Sequence, residues 1–238
     1  MSTSSSGKSE SVAAHARPRS TSTLARLAAY EGFVVKQRVE PIEYFGVEGA
    51  NVYDILSLDG TRVLHARERE GGVWGTVGRQ LGGHTVHAFD IDVCDNAGRT
   101  VLTISHPARW FLQRLEVRSG SGRLIGVFEE CFSLVKELVV KDGHGHPRFA
   151  MSTRFLSPWN FTFTRAAPRT SRRVAHIQKQ WDGLGRELFT DADTLRIAFE
   201  ARDLDTDERA LLLAAALFID LVWFEWDSGG IVSTGWGP

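Results

Sequence analysis

Alternate aspartates in the last third of the chain form the pattern that most directly suggests chemistry. Asp203, Asp205 and Asp207 make a D-x-D-x-D run, and carboxylates at this spacing begin the calcium loop of an EF-hand. Glu208 stands where that loop requires glycine, and its twelfth position is Ala214 instead of a bidentate glutamate. An EF-hand is therefore excluded. The run favours another use, in which Asp207 and Glu208 cap and charge-match the N-terminus of a following helix.

A second set of candidate residues is basic. Four arginines surround a proline between two strand-like segments and a lysine follows them: Arg165, Arg169, Arg172, Arg173 and Lys179. Each basic residue near an anionic bilayer contributes roughly 1 kcal/mol of binding, so four or five would hold a protein reversibly at a phospholipid surface. These five residues are the predicted lipid-headgroup site. A solvated loop without a ligand is the alternative.

Motifs of common enzymes are absent from the sequence. It contains no G-x-S-x-G, no P-loop, no G-x-G-x-x-G and no H-E-x-x-H, so no catalytic residue is predicted and an enzymatic role stays open. His84 with His87, and His144 with His146, have spacings that zinc could use, but no cysteine or carboxylate cluster accompanies them. With a formal net charge of -1 and mixed signs along the chain, nucleic acid is not an expected partner.

The element that must position these residues is an apolar segment near the C-terminus. Residues 211–226 read LLLAAALFIDLVWFEW, which is apolar on every side of a helix and therefore has to be hidden. At 1.5 Å per residue the run reaches about 25 Å, short of the ~30 Å hydrocarbon core of a bilayer. Asp220 in its middle adds a further cost in lipid. The sequence thus favours a helix over 208–226 that is buried in protein.

The rest of the chain predicts antiparallel strands. Alternating apolar residues flank turns at Asp59-Gly60 and around Gly98, Gly122 and Gly145, and such turns between period-two runs are strong hairpin signals. About ten to twelve strands result, and a sheet of that size leaves two open edges unless it closes. We expect a mainly β fold, a closed antiparallel barrel with the terminal helix in its centre. A β-sandwich with the helix outside is the alternative.

Three regions follow from this organisation. Residues 1–29 are predicted to be a disordered tail, since positions 1–23 hold eight serines and three threonines with almost no large apolar side chain. Residues 30–226 form the barrel domain, and 227–238 a flexible C-terminal tail. No signal-peptide pattern is present, so the expected location is the cytoplasm, at most the cytoplasmic face of a membrane.

Within 176–225 a spaced set of residues matches a family signature: Lys179, Trp181, Gly183, Leu184, Glu187, 189–193, 218–220, Phe224 and Glu225. Together with 33–37 and 107–116, this pattern resembles the phospholipid scramblase family over about residues 30–226. The resemblance implies the tubby-C-terminal-like fold, a twelve-stranded barrel around a central hydrophobic helix. It also implies calcium-activated, energy-independent movement of phospholipids between bilayer leaflets.

Calcium ligands are implied by the same resemblance. The family's calcium segment falls at Asp191 and Asp193, but the position that should carry a later carboxylate is Arg202, with Asp203 beside it. Calcium takes six to eight oxygen ligands, so Asp191, Asp193 and Asp203 are expected to give at best a weak site. The alternative function is a soluble tubby-like module that binds anionic lipid headgroups or a protein partner without transport.

Overall fold

A computed structural model describes residues 23–38, 51–69, 89–107, 114–131, 137–154, 157–166, 172–180 and 194–221. Within these ranges, twelve strands form one closed antiparallel barrel in which each strand pairs with its sequence neighbours and β1 also pairs with β12. The strands are β1 Gly32–Arg38, β2 Val52–Ser57, β3 Arg62–Glu68, β4 Phe89–Asp95, β5 Thr100–His106, β6 Arg114–Ser119, β7 Leu124–Glu130, β8 Glu137–Asp142, β9 Pro147–Arg154, β10 Ser157–Arg165, β11 Arg173–Gln180 and β12 Thr194–Phe199. The predicted mainly β closed barrel is confirmed.

Four tight turns define one end of the barrel, which we call the hairpin end. They join β2 to β3, β4 to β5, β6 to β7 and β8 to β9, and each has a glycine with φ between 75° and 88°: Gly60, Gly98, Gly122 and Gly145. That left-handed conformation strains any side chain with a Cβ, which explains why glycine recurs there. β12 also ends at this end of the barrel and leads directly into the terminal helix.

The terminal helix, α2, spans Thr206–Ile219 and fills the barrel. Every residue from Glu208 to Ile219 is buried, and those from Ala210 onward form one core cluster with buried side chains of the strands. Near the C-terminal end of α2, the ring centroid of Phe218 lies 6.3 Å from those of His106 on β5 and Phe128 on β7. The sandwich alternative is therefore wrong. The last part of the predicted helix, 222–226, lies outside the described residues.

One glycine of the barrel wall, Gly126, leaves room for α2. At Gly126 on β7, an added Cβ would lie 2.9 Å from Cδ2 of Leu211 and 2.3 Å from the carbonyl oxygen of Lys141. Both distances are shorter than side chains tolerate. The missing side chain lets the first turns of α2 lie close against β7.

Residues 23–29 are not part of a disordered tail, which corrects that part of the prediction. They form a helical turn, α1 (Thr23–Arg26), and a 3₁₀ helix (Leu27–Ala29), which contact α2. Leu27 is only 1% exposed and belongs to the core, and the partly buried Leu24 packs against it. The remainder of the predicted tail, 1–22, and the predicted tail 227–238 lie outside the described residues.

Candidate functional site

The N-terminus of α2 lies at the hairpin end and is closed by a capping box. The Asp205 carboxylate accepts from the backbone N–H of Glu208 at 2.7 Å, and the Glu208 carboxylate accepts from the backbone N–H of Asp205 at 3.2 Å. This exchange satisfies two amide donors that the helix start leaves open. The predicted capping role is confirmed for Glu208, whereas the N-cap residue is Asp205 and not Asp207.

Glu208 is also the centre of a buried ion pair. Its side chain is 3% exposed, and its Oε1 lies 2.5 Å from Nη2 of Arg148 and 2.5 Å from Nη1 of Arg165. Burial would raise the pKa of Glu208, but the hydrogen bonds from Arg165 and Arg148 outweigh burial and hold that pKa below its usual value. Glu208 is therefore a carboxylate in the folded protein at neutral pH.

Further ion pairs surround this centre. Asp203 lies 3.7 Å from Arg165 and 3.5 Å from Arg172, and Asp207 accepts two hydrogen bonds of 2.8 Å from Arg123. We call the whole set the arginine network: Arg123, Arg148, Arg165, Arg172 and Arg173 with Glu200, Asp203, Asp205, Asp207 and Glu208. Its five cations face five carboxylates, so the network is charge-balanced.

The structure brings together only part of the predicted lipid-headgroup site. Arg165, Arg172 and Arg173 lie at the hairpin end, and each has a carboxylate within ion-pair distance. Lys179 is six residues along β11 from Arg173, close to the opposite end of the barrel, and is only 7% exposed. Arg169 lies outside the described residues. A lipid phosphate at this loop has to compete with carboxylates that the arginines already bind.

The described residues include only one of the three predicted calcium ligands. Asp191 and Asp193 lie outside the described residues, whereas Asp203 follows the far end of β12 and engages Arg165 and Arg172. No group of three or more potential metal-ligating side chains occurs within the described ranges. Of the histidine pairs, His144 and His146 have ring centroids 6.3 Å apart and flank the turn after β8.

Sequence reasoning missed Arg123 and Arg148. Arg123 directly precedes β7, and Arg148 is the second residue of β9, so in the sequence both look like ordinary residues of a hairpin. Their carboxylate partners are 84 and 60 residues away in sequence. No local pattern relates residues at such separations. Only the closed barrel, which brings the ends of several strands together at the start of α2, could have indicated them.

Comparison with known protein families gives a match over most of the chain. Residues 10–226 match the protein family described as Scramblase, a span that includes all twelve strands and α2. The chain belongs to the scramblase family. The resemblance seen in the sequence is thereby confirmed.

Curated relatives of this scramblase family member share low identity over most of its length. Altered inheritance rate of mitochondria protein 25 of Saccharomyces cerevisiae is 27% identical, with 86% of this chain and 74% of the relative covered. Phospholipid scramblase 2 of Homo sapiens is 27% identical, with 84% and 69% covered. A solved X-ray structure of an Arabidopsis thaliana protein is 15% identical and covers 80% of this chain and 93% of its own, with a TM-score of 0.43.

Among the described residues, no helix is suited to crossing a bilayer. α2 has 14 residues, whereas a spanning helix needs about 20, and no other described helix approaches that length.

Proposed function

We propose that this chain acts on phospholipids from the surface of the bilayer while α2 stays inside the barrel. Family membership over 10–226 supports the phospholipid connection, as do relatives that are named phospholipid scramblases. The burial of α2 supports the manner of action. Six large apolar side chains of this helix are buried, namely Leu211, Leu212, Leu213, Leu217, Phe218 and Ile219.

Removing the helix from the barrel would be costly. At about 1.5–3 kcal/mol for each large apolar side chain, these six contribute roughly 9–18 kcal/mol, which is comparable with the whole stability of about 5–15 kcal/mol that proteins show. A bilayer could shelter the released helix, but the inward-facing side chains of the strands would then lose their partner. Enclosure of α2 during function is therefore the better proposal.

Accessibility of the helix during membrane binding tests this proposal. Ala215 is fully buried in α2, and a single thiol can be placed there as Ala215→Cys after both native cysteines, Cys94 and Cys131, are changed to serine. We expect a lipid-soluble maleimide to label it no faster with phosphatidylserine vesicles than in buffer. Ser121→Cys, in an exposed turn, is the matched control and should label quickly. Rapid labelling of residue 215 only with vesicles would contradict the proposal.

The activity itself is proposed to be energy-independent movement of phospholipids between leaflets. Headgroup binding without transport is a second candidate, favoured by the enclosed helix. A fluorescent-phospholipid exchange assay on reconstituted vesicles separates the two, since only the first gives loss of leaflet asymmetry without ATP. Vesicle flotation reports binding in either case.

We propose Asp191 and Asp193 as ligands of a calcium ion that would activate the protein. We expect any calcium response of exchange or flotation to be lost in the Asp191→Asn/Asp193→Asn double variant. Asp203→Asn is the matched control, because Asp203 is paired with Arg165 and Arg172 and its loss should leave the calcium response in place. A response that depends on Asp203 alone would overturn this assignment.

A further inference from the structure

A groove beside the N-terminal segment has more positive than negative side chains, whereas the arginine network is charge-balanced. We call it the N-terminal groove, and the residues that carry its chemistry are Thr23, Arg26, Val63, Asp95, Asn96 and Arg99. Its volume is about 190 Å³. Because a water molecule takes about 30 Å³ of the liquid, the groove has room for a phosphate group with part of the chain esterified to it.

The one carboxylate in the groove is fully engaged. Asp95 accepts from the backbone N–H groups of Ala97 and Arg99 at 2.9 Å each, and from the hydroxyl of Thr23 at 2.9 Å. The guanidinium of Arg99 lies 2.7 Å from the same carboxylate. These hydrogen bonds, led by the backbone donor of Arg99, hold the pKa of Asp95 well below its usual value. Asp95 is thus a fixed negative charge that Arg99 neutralises.

Arg26 is the uncompensated charge. It is exposed on α1, and among the described residues no carboxylate lies within ion-pair distance of it. The groove therefore has two guanidiniums and one carboxylate, a surplus of one positive charge, beside the hydroxyl of Thr23 and the side-chain amide of Asn96. Guanidinium groups bind phosphate oxygens with two parallel hydrogen bonds.

An exposed leucine lies at the same end of the barrel. Leu58 is 38% exposed on the turn between β2 and β3, and β3 supplies Val63 and Leu64 to the wall of the groove. Within the described ranges Leu58 is one of two exposed large apolar side chains. An exposed apolar side chain at the same end of the barrel as a basic groove suits the boundary between headgroups and acyl chains.

We propose that the N-terminal groove binds the phosphate of a phospholipid headgroup, with Arg26 as the cation that contacts it and Leu58 entering the acyl boundary. This inference rests on the proposed function and gives it a place on the molecule. It differs from the site expected from the sequence, Arg165 to Arg173, where every described arginine already has a carboxylate partner.

Charge reversal tests the groove against that loop. The protein is floated with phosphatidylcholine vesicles that contain phosphatidylserine, as the wild type and as Arg26→Glu, Arg172→Glu and Arg196→Glu. Arg196 is exposed on the outer wall of β12 and is the matched control. Arg26→Glu changes the charge near the bilayer by two units, so we expect vesicle binding to weaken about thirtyfold. Arg196→Glu should lose far less vesicle binding, because Arg196 would face away from the bilayer when the groove contacts it. Arg26→Lys should retain most binding.

A soluble ligand distinguishes a lipid headgroup from free phosphate. Glycerol 3-phosphate is titrated while the Asn96 side-chain amide is followed by NMR, in the wild type and in Leu58→Ser. For a lipid site, Leu58→Ser lowers vesicle binding and leaves the glycerol 3-phosphate titration unchanged. If Leu58→Ser floats like the wild type, the lipid assignment of the groove is overturned.

Three other outcomes separate this inference from the proposed function. Wild-type flotation with equal binding by Arg26→Glu and Arg196→Glu overturns the groove and leaves the proposed function standing. A larger loss in Arg172→Glu than in Arg26→Glu also overturns the groove, in favour of the arginine loop. Failure of the wild type to float overturns the proposed function and the lipid site together, and a titration that still perturbs Asn96 would then identify a free-phosphate site.

Discussion

The carboxylate of Glu208 has two roles: it caps the N-terminus of α2, and it forms ion pairs with Arg148 and Arg165. We predict that Glu208→Gln destabilises the protein by about 1–3 kcal/mol at neutral pH, below the 3–5 kcal/mol of a fully buried pair because both guanidiniums are partly in water. The folded-state pKa of Glu208 is lowered, so its stabilisation is complete above the unfolded value near 4.5 and is lost as pH falls through the folded value.

Urea unfolding at pH 7 and at pH 3.5 measures this effect, and the difference in free energy of unfolding between wild type and Glu208→Gln should shrink in acid. Glu116→Gln, at an ion pair on the outer wall, is the control and should cost little at either pH. A difference that is the same at both pH values would show that the charge of Glu208 contributes nothing.

Individual residues could be predicted where a local pattern sets their role. Glu208 was expected at a helix start because an acidic run precedes an apolar run. Its partners Arg148 and Arg165, by contrast, come from two other strands, and their pairing depends on the barrel register. The lipid role of Arg165, Arg169, Arg172, Arg173 and Lys179 stays a prediction. Arg26 carried no signal in the sequence, because its surplus charge is apparent only once the partners of its neighbours are known.

At the scale of elements, the contact of α2 with β7 depends on Gly126. We predict that Gly126→Ala lowers the free energy of unfolding by about 1–3 kcal/mol, the usual cost of overpacking a core. The added methyl meets both the Leu211 side chain and the Lys141 backbone. In a double-mutant cycle by urea denaturation, Leu211→Ala should relieve only the first contact. Full additivity of the two substitutions would contradict a direct contact between helix and wall.

The strands and the helix could be predicted because their signals are short-range. Asp-Gly and Gly-containing turns require φ values that glycine adopts readily, and the four glycines are found in that conformation. The short helical segment over 23–29 could not be predicted, because its order depends on Leu27 entering the core and on Arg209 binding the carbonyl oxygen of Tyr30. Both contacts join parts of the chain that are far apart in sequence.

At the scale of the whole molecule, α2 is the core of the barrel. We predict that a chain truncated after Asp205 loses cooperative thermal unfolding and binds a hydrophobic dye, since the inward faces of twelve strands would enclose an empty space. A chain truncated after Trp226 lacks only residues beyond the matched span 10–226. It is the control and should unfold cooperatively. A sharp calorimetric transition in the shorter chain would show that the barrel does not need its helix.

The overall architecture could be predicted by complementarity. Twelve strands need closure and an all-apolar helix needs enclosure, and one arrangement satisfies both. The functional surface could not be derived in this way, because it depends on which charges remain once the ion pairs at the hairpin end have formed.

The pairing of β1 with β12, Gly32 opposite Ala198, sets an order of events during synthesis. A ribosome adding about 5–20 residues per second delivers the 165 residues between these partners over roughly 10–30 s. The helix that fills the barrel emerges later still. Throughout that interval the nascent chain has two unpaired strand edges and an uncovered apolar face, which stay open to association with other chains until the last element has been made.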